Sequence, residues 1–355
     1  MHVLRVRNAH EGLPRGLNLL YQIGTHRESR NGAVLVARMP VATVYERPWE
    51  KVVFWPERDA NPFFHFAESL WILAGRNDVA FVRKYASNML NYSDDGITIH
   101  DAYGYRLRKW FDKDQLEIVI ERLKKNPDDR RCVLQLWDVT KDLGMDGKAF
   151  PCNTMITVQI NDQGQLEIVV FCRSNDIVWG TFGANAVHFG FLQEYLATRI
   201  GVQIGTYTQV SINYHAYINV LKDKLEDIRF KGDRVNYIDN PYDSFFQQRG
   251  QVRTVLMPSA IDQILDELLI HEGTEFALPR TYRSFEDNAW TEMAYAMLRA
   301  HAVYRTLDNP LNYHSAIDIL KTQDQSIDWI AAGIQWMQRR LDAWTAKSAT
   351  QAALL

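Results

Sequence analysis

The chain has 355 residues, of which 46% are hydrophobic and 23% are charged, and its formal net charge is only −3. This composition is typical of a folded globular protein, and it excludes a disordered chain and a strongly basic nucleic-acid-binding protein. Three cysteines without a CxxC pair, no apolar stretch of roughly 20 residues and no signal-peptide core together predict a cytoplasmic protein with free thiols and no membrane or nucleic-acid partner.

The first strong element is residues 61–75, with the sequence NPFFHFAESLWILAG. Apolar residues on most faces and a terminal glycine predict a buried helix that stops at this glycine. Glu68 lies inside it, between Phe66 and Leu70. Burying a carboxylate among apolar side chains is costly unless a polar group meets it, so we expect a polar partner for Glu68.

A second helix is predicted at residues 114–125, where DQLEIVIERLKK has a helical apolar pattern. The turn signal NPDD follows it and precedes the apolar segment RRCVLQLWD. This segment predicts a strand, and Arg130 and Arg131 stand at its beginning.

Two further strands are predicted at residues 154–160 and 166–172, joined by NDQG, a sequence typical of a hairpin turn. The hairpin would bring Cys152 and Arg173 close together in space. A reactive thiol needs a depressed pKa, and the nearby arginines are the available cations. The spacing alone favours a buried structural cysteine over a nucleophile.

Residues 184–200 predict a long core helix and residues 206–214 a strand. After residue 230 a polar loop, DNPYDSFFQQRG, leads into amphipathic segments. These segments are residues 260–271, 284–306, 313–321 and 327–347. The pattern predicts a mixed catalytic domain over residues 1–230 and a helical extension over residues 231–355, packed on the same domain.

Four ordered motifs carry a resemblance to a known family. They are PCN, RSND, WGTFGANAVHFGFLQEYLA and NYHAY. They resemble PCH, RSxD, G-x-P-F-N-I-A-S-Y and D-A-H-x-Y of the thymidylate synthase family, which includes the pyrimidine nucleotide hydroxymethylases. Upstream, SRNG resembles its R-T-G, ESLWILAG its E-L-L-W-F-L-x-G, AYGYRLR its V-Y-G-x-Q-W-R, and DDRRCVLQLWD its S-R-R-hydrophobic-W-N. The resemblance covers roughly residues 20 to 220.

This resemblance implies an α/β (α+β) fold with a large bent mixed sheet, and a homodimer formed through the sheet face. It implies that the Cys152 thiolate adds to C6 of a pyrimidine nucleoside monophosphate, so that C5 can attack the one-carbon unit of 5,10-methylenetetrahydrofolate. Glu68 matches the glutamate that organises water and moves protons. Asn185 matches the asparagine that reads the base edge if one extra residue is allowed.

The resemblance also implies binding roles, without a metal. Guanidinium groups suit the several oxygens of a phosphate. The implied phosphate ligands are Arg30, Arg173 and Ser174, with Arg130 and Arg131 reaching the partner subunit's site. His215 and Tyr217 match the residues that hold the sugar 3′-hydroxyl, Asn153 lies beside the base, and Asp176 matches the aspartate that contacts the folate pterin.

Three departures from the family pattern bear on the reaction. Asn153 replaces a histidine near position 4 of the base. The stretch NMLNYSDDGITIHD contains no tryptophan where the family has W-D-E-W to shield the methylene intermediate, and the C-terminus continues into helices instead of a short closing tail. Water could then capture the methylene, which predicts a 5-hydroxymethyltransferase.

The base is harder to predict because a carboxamide can present its donor and acceptor to uracil or, after flipping, to cytosine. The lost histidine and the altered neighbours Ala184 and His188 favour dCMP or CMP slightly, although an asparagine at position 185 counts against cytosine. The substrate dUMP stays open. The alternatives are a thymidylate synthase and a non-catalytic nucleotide-binding protein of the same fold. A cysteine hydrolase would need a histidine linked to Cys152 by a motif, and the sequence has none.

Overall fold

The computed structural model describes residues 1–223, 225–232, 240–243, 251–270, 288–306 and 309–352. The chain divides into two compact units. The first contains residues 1–60 and 68–240, and the second contains residues 61–67 and 241–355. The predicted polar loop at 239–250 lies largely outside the described residues.

Ten strands form the framework of the first unit. In chain order they are β1 (His2–Val6), β2 (Gly24–Arg27), β3 (Val34–Ala37), β4 (Val41–Tyr45), β5 (Val133–Gln135), β6 (Asn153–Ile160), β7 (Gln165–Cys172), β8 (Asn175–Asp176), β9 (Gln203–Ser211) and β10 (Tyr214–Tyr217). A six-stranded mixed sheet has the order β1-β4-β9-β7-β6-β5, and a four-stranded sheet has the order β2-β3-β10-β8.

The two sheets continue one another across a break. β7 and β9 are parallel and end their pairing at Cys172 and Ser211, and after two residues in each strand β8 and β10 resume in parallel, with Asn175 opposite Tyr214. The amide of Asn175 donates to Asn213 O at 2.8 Å within the break. The prediction of a large bent mixed sheet is therefore confirmed, and the break is where the sheet bends.

The predicted hairpin is also confirmed, as β6 pairs antiparallel with β7 over the expected residues. Side chains alternate in burial along β7, because successive residues of a strand point to opposite faces. The segment RRCVLQLWD forms only the short strand β5, and the predicted strand at 206–214 is divided between β9 and β10.

Eight helices lie wholly or partly in the described residues of the first unit. They are α1 (Ala9–Ile23), α2 (Pro62–Leu73), α3 (Val79–Val82), α4 (Tyr103–Tyr105), α5 (Gln115–Lys125), α6 (Asn185–Ile200), α7 (Ile218–Asp223) and α8 (Glu226–Gly232). Residues 62–67 of α2 belong to the second unit. The helix predicted at 61–75 is α2, which is followed by Gly75 in a left-handed conformation (φ +64°). The helix predicted at 114–125 is α5, whose N-cap Asp114 accepts from the amides of Leu116 and Glu117.

The second unit contains four helices after residue 260 in its described part. Its helices are α9 (Ile261–Ile270), α10 (Ala289–Thr306), α11 (Pro310–Lys321) and α12 (Asp328–Ala352). They confirm the helical pattern predicted after residue 250, although residues 271 and 284–287 lie outside the described part. The Phe66 ring packs against the rings of Trp290 and Trp329. In the described part of the chain, no helix is both long and apolar enough to span a membrane.

Candidate active site

Cys152 lies immediately before β6, at the bend of the sheet, with its thiol free and partly exposed. The Arg173 amide donates to Cys152 O at 2.9 Å. The Arg173 guanidinium donates to Pro151 O (2.9 Å) and Phe150 O (3.1 Å). The structure therefore confirms that Cys152 and Arg173 are neighbours.

The Cys152 thiol does not have the depressed pKa that a reactive thiol needs. Burial raises the pKa of Cys152 above its ordinary value, and the charge of Arg173 only partly opposes this effect. Arg131 is exposed and forms an ion pair with Asp129 at 3.0 Å. Desolvation of the thiol outweighs the single nearby guanidinium, so Cys152 is a thiol in this structure and needs a base to become a thiolate.

Glu68 has the polar partner that the sequence predicts. Its Oε2 lies 2.9 Å from Nε2 of His188, and the two side chains are only 12% and 5% exposed. His188 is on the first turn of α6, three residues after Asn185. Helix α6 thereby links the residue matched to the base edge with the residue matched to proton transfer.

Asp101 is a site residue that the sequence reasoning missed. It lies in the turn before α4, and burial raises its pKa to about 6, against the lowering effect of Arg106 and with a further raising effect from Glu68. Its charge in turn raises the pKa of Cys152. The Asp101 carboxyl group therefore acts on the Cys152 thiol. Its only signal in the sequence is its place two residues before the first tyrosine of AYGYRLR.

The turn that carries Asp101 is held by a buried ion pair. Arg106 and Asp142 are both fully shielded from solvent and lie 2.7 Å apart. Arg106 Nε also donates to His100 O at 3.0 Å, and its Nη1 donates to Leu136 O at 2.8 Å. These contacts fix the backbone next to Asp101.

A series of hydrogen-bonded polar side chains begins at Asn153, the residue that follows Cys152. Nδ2 of Asn153 donates to the Tyr103 hydroxyl (2.8 Å) and to Oδ1 of Asn185 (3.1 Å). Nδ2 of Asn185 donates to Oδ1 of Asn175 (3.1 Å), whose own Nδ2 donates to the Ser211 hydroxyl (2.9 Å). Asn153 and Asn185 were predicted from the motifs, whereas Tyr103, Asn175 and Ser211 were not. We call this set the amide chain.

The second sheet brings together residues matched to the sugar and the folate. β8 and β10 place Asp176 opposite His215. Asp176 Oδ1 caps the next helical turn by accepting from the amides of Val178 and Trp179, while its Oδ2 is buried without a hydrogen-bond partner. Burial raises the pKa of Asp176, and the backbone hydrogen bond from Trp179 opposes this effect.

The loop that carries Arg30 approaches the end of β10. Nδ2 of Asn31 donates to the Tyr217 hydroxyl at 3.5 Å, and Arg30 itself is exposed. Ser174 is partly buried in the bend of the sheet, between Arg173 and Asn175. The loop that carries Arg30 is thus joined to β10, and β10 pairs with β8, which directly follows Arg173 and Ser174. We call these groups the rim of the candidate site.

Arg130 and Arg131 are not brought to this rim. Both are exposed just before β5, and neither has a hydrogen bond to another predicted site residue within the described ranges. This placement fits residues that act on a second copy of the chain, and it does not test that role.

Trp179 is a further residue that the sequence reasoning passed over. Its side chain is 51% exposed, which is unusual for so large an aromatic group. The buried guanidinium of Arg58 lies 4.2 Å from its ring centroid, and Arg58 Nε donates to Val178 O at 3.0 Å. Beside Asp176, this ring offers a flat, supported surface. In the described residues, no group of three or more His, Cys, Asp or Glu side chains is arranged to hold a metal ion.

Comparison with known proteins gives a consistent set of relatives. A sequence model of the family described as thymidylate synthase matches residues 19–237. A deoxyuridylate hydroxymethyltransferase of Pseudomonas phage M6 is 42% identical over 351 residues, which cover 98% of this chain and 97% of that protein. A protein of the same name from Bacillus phage SP01 is 40% identical over 54% of this chain and 52% of its own length. The crystal structure of thymidylate synthase from T4 phage aligns with a TM-score of 0.49 at 20% identity, over 61% of this chain and 78% of that one.

Proposed function

The chain belongs to the thymidylate synthase family and is a folate-dependent one-carbon transferase, and on this premise we propose that it converts dUMP to 5-hydroxymethyl-dUMP. The named activity of the Pseudomonas phage M6 relative supports the choice of substrate. The preference for cytidine monophosphates that the sequence suggested is not confirmed by these relatives. We therefore take uracil as the base.

The observation that carries the hydroxymethyl product is the content of residues 87–101. This stretch has no tryptophan, and it ends in Asp101, a carboxyl group that interacts electrostatically with both Cys152 and Glu68. An indole would exclude water from the methylene intermediate, whereas a carboxylate can hold a water molecule and accept its proton. With a pKa near 6, Asp101 suits proton exchange near neutral pH.

The reaction then proceeds in balanced steps. The Cys152 sulfur adds to C6 of dUMP and its proton passes to one folate nitrogen, whose bond to the one-carbon unit breaks while C5 forms a bond to that unit. The C5 proton then passes to the second folate nitrogen as its bond to the one-carbon unit breaks, so tetrahydrofolate departs and an exocyclic methylene group is left. Water adds to this carbon, its proton passes to Asp101 or Glu68, and the Cys152 sulfur leaves C6. The folate supplies carbon but no hydride.

Two features support folate binding next to this position. Oδ2 of Asp176 is a buried acceptor without a hydrogen-bond partner, and an unmatched buried acceptor is costly unless a ligand donates to it. The exposed Trp179 ring, supported by Arg58, is a surface for a flat heterocycle. These residues fit the pterin of 5,10-methylenetetrahydrofolate as co-substrate.

The homodimer stays a proposal, supported by the open face of the large sheet. On the face opposite the core, four apolar side chains are partly buried and lie next to the exposed Val133. They are Met155, Val169, Phe171 and Val210. Apolar side chains on one sheet face favour a second copy of the chain as their cover. Arg130 and Arg131 border this face at β5, from where they could reach the partner subunit's phosphate site.

The test of the function is a substrate panel. The purified protein is incubated with methylenetetrahydrofolate and with dUMP, UMP, dCMP or CMP, and the product is identified by mass. We expect a hydroxymethyl product from dUMP, without the absorbance rise that accompanies dihydrofolate formation. Thymidylate with dihydrofolate would replace our proposal by a thymidylate synthase, and no tritium release from any 5-tritiated nucleotide would replace it by a nucleotide-binding protein.

The shared site is tested by mixing inactive subunits. Cys152→Ser and Arg131→Ala homodimers should each have little activity, whereas the mixed preparation should regain up to about a quarter of it by random exchange of subunits. The matched control is Arg122→Ala, which also removes an arginine bonded to Asp129 but lies outside the motifs. Failure of the mixture to recover would place Arg131 outside the partner's site.

A further inference from the structure

The amide chain has a direction, because a carboxamide donates only from its nitrogen and accepts only at its oxygen. Asn185 sits between two other carboxamides, with its Oδ1 facing Nδ2 of Asn153 and its Nδ2 facing Oδ1 of Asn175. If Asn185 alone were flipped, two amino groups would face each other on one side and two oxygens on the other. A flip is therefore possible only if the neighbouring amides also flip.

At one end of the amide chain, Cys172 opposes such a joint flip. The Cys172 sulfur lies 2.6 Å from Oδ1 of Asn153, and burial holds the pKa of this thiol far above its ordinary value. A thiol that keeps its proton is a donor, so it favours the oxygen of Asn153 over the nitrogen. Ser211, at the opposite end, can donate or accept and imposes no preference. The direction of the whole chain is thus set from the Cys172 side.

The amide chain is also packed tightly enough to keep this direction. Asn153, Asn175 and Asn185 are 0%, 2% and 7% exposed. A Cβ at Gly180 would lie 2.3 Å from Oδ1 of Asn175 and 3.2 Å from Nδ2 of Asn185. Only glycine at position 180 leaves room for the Asn175–Asn185 hydrogen bond.

Within the proposed function, on which this inference rests, we propose that Asn175 is a specificity-determining positioning residue that selects uracil over cytosine. Asn153, oriented by the Cys172 thiol, donates to Oδ1 of Asn185, and Asn175 accepts from Nδ2 of Asn185. The two contacts together fix which end of the Asn185 carboxamide is the donor, and Asn175 supplies the second of them. Asn185 keeps one free N–H and one free lone pair for the base. In the fixed orientation these meet the O4 and N3–H of uracil, whereas cytosine would set its amino group against an N–H and its N3 against an oxygen.

The test measures base preference rather than activity alone. In Asn175→Leu, Asn185 loses one of the two contacts that fix its orientation, and we expect the ratio of kcat/KM for dUMP to that for dCMP to fall about 10-fold, the lower part of the range typical of one bidentate base contact. Asn175→Asp retains an acceptor and should restore most of the preference. The control Ser211→Ala leaves the Asn175–Asn185 bond in place and should keep the ratio. Thermal melts and 5-tritium release from both nucleotides accompany each variant.

The outcomes separate this inference from the proposed function. If the wild-type protein does not act on dUMP, the proposed function fails. If it does, and Asn175→Leu keeps the wild-type ratio, Asn175 is only structural and the inference fails. Should Asn175→Leu not fold, Gly180→Ala displaces the same hydrogen bond and carries the same expectation, and an unchanged ratio there also overturns the inference.

Discussion

The side of the site matched to the base and the side matched to the phosphate differ in how many of their polar groups are satisfied within the chain. Asn153, Asn175 and Asn185 are buried and hydrogen-bonded to one another. Arg30 and Arg130, by contrast, are exposed and have no hydrogen bond or ion pair among the described residues.

From this difference we infer which residues determine base selectivity and which determine nucleotide affinity. A buried network whose members are all paired is rigid, so it can reject a base of the wrong pattern. Exposed guanidinium groups keep their hydration until an anion arrives, and they contribute binding energy without much shape selection. We therefore expect base-side changes to alter which nucleotide reacts, and phosphate-side changes to alter how tightly any nucleotide binds.

The largest expected effect comes from the nucleophile, which lies where the two sides meet. Cys152→Ser should lower turnover of dUMP by at least about 1,000-fold, roughly 4 kcal/mol in activation free energy, because a hydroxyl is a far weaker nucleophile toward C6. Binding of dUMP, measured by calorimetry, should change little. Cys132→Ala is the control, since Cys132 is also a free thiol outside the site. An active Cys152→Ser enzyme would remove the proposed covalent step.

The next largest effect is expected for the buried ion pair that holds the turn with Asp101. Asp142→Ala leaves the buried Arg106 without its ion-pair partner and should lower the free energy of unfolding by about 3 to 5 kcal/mol. Urea denaturation measures this change. Arg253→Ala, which breaks an exposed pair with Asp324, should cost at most about 1 kcal/mol. Equal losses would mean that the Arg106–Asp142 pair does not hold the Asp101 turn.

The phosphate side is tested by Arg30→Ala. We expect KM for dUMP to rise about 10- to 100-fold with a smaller change in kcat, because a charge-assisted contact to the phosphate is lost. The dUMP to dCMP ratio should stay unchanged, in contrast to the Asn175→Leu variant. Arg38→Ala removes another exposed arginine, which directly follows β3, and should leave KM unaltered. A changed base preference in Arg30→Ala would break the division between the two sides.

The smallest expected effect concerns pH and Asp101. Its pKa in the folded protein, about 6, exceeds the ordinary value of 3.8, so its contribution to stability is complete below pH 4 and is lost as the pH rises through 6. Asp101→Asn should therefore raise the unfolding free energy at pH 8 by roughly 1 to 3 kcal/mol, with little gain at pH 4. Thermal melts across pH measure this gain.

The same variant tests the role of Asp101 in the reaction. Activity of the wild-type enzyme should fall below about pH 6 as the carboxylate becomes protonated, and Asp101→Asn should have low activity without this acid limb. An Asp101→Asn enzyme with the full wild-type pH profile would exclude Asp101 as the group that accepts the proton from water.

Much of the fold follows from local patterns in the sequence. The α2 and α5 helices and the hairpin of β6 and β7 have clear apolar periods with glycine, aspartate or NDQG at their ends, and these signals act within a few residues. Strands β1 to β4 were missed because they are only four or five residues long, and β3 and β4 also pair with β10 and β9, which are distant in sequence.

The site was predictable only where a motif named the residue. Cys152, Asn153 and Glu68 stand in motifs, and the structure gives each a specific partner. Asn175 and Asp101 have no such signal, since their importance depends on side chains brought together by the bend of the sheet. The raised pKa of Cys152 was not predictable from the sequence, because a count of nearby arginines takes no account of desolvation.

The bend of the sheet also orders the assembly of the site in time. Cys152 and Arg173 belong to a local hairpin, whereas Ser211 and His215 arrive with β9 and β10, after the crossover through α6. Long-range parallel pairing forms later than local hairpins. During folding, we therefore expect Cys152 and Arg173 to come together before β9 and β10 add Ser211 and His215.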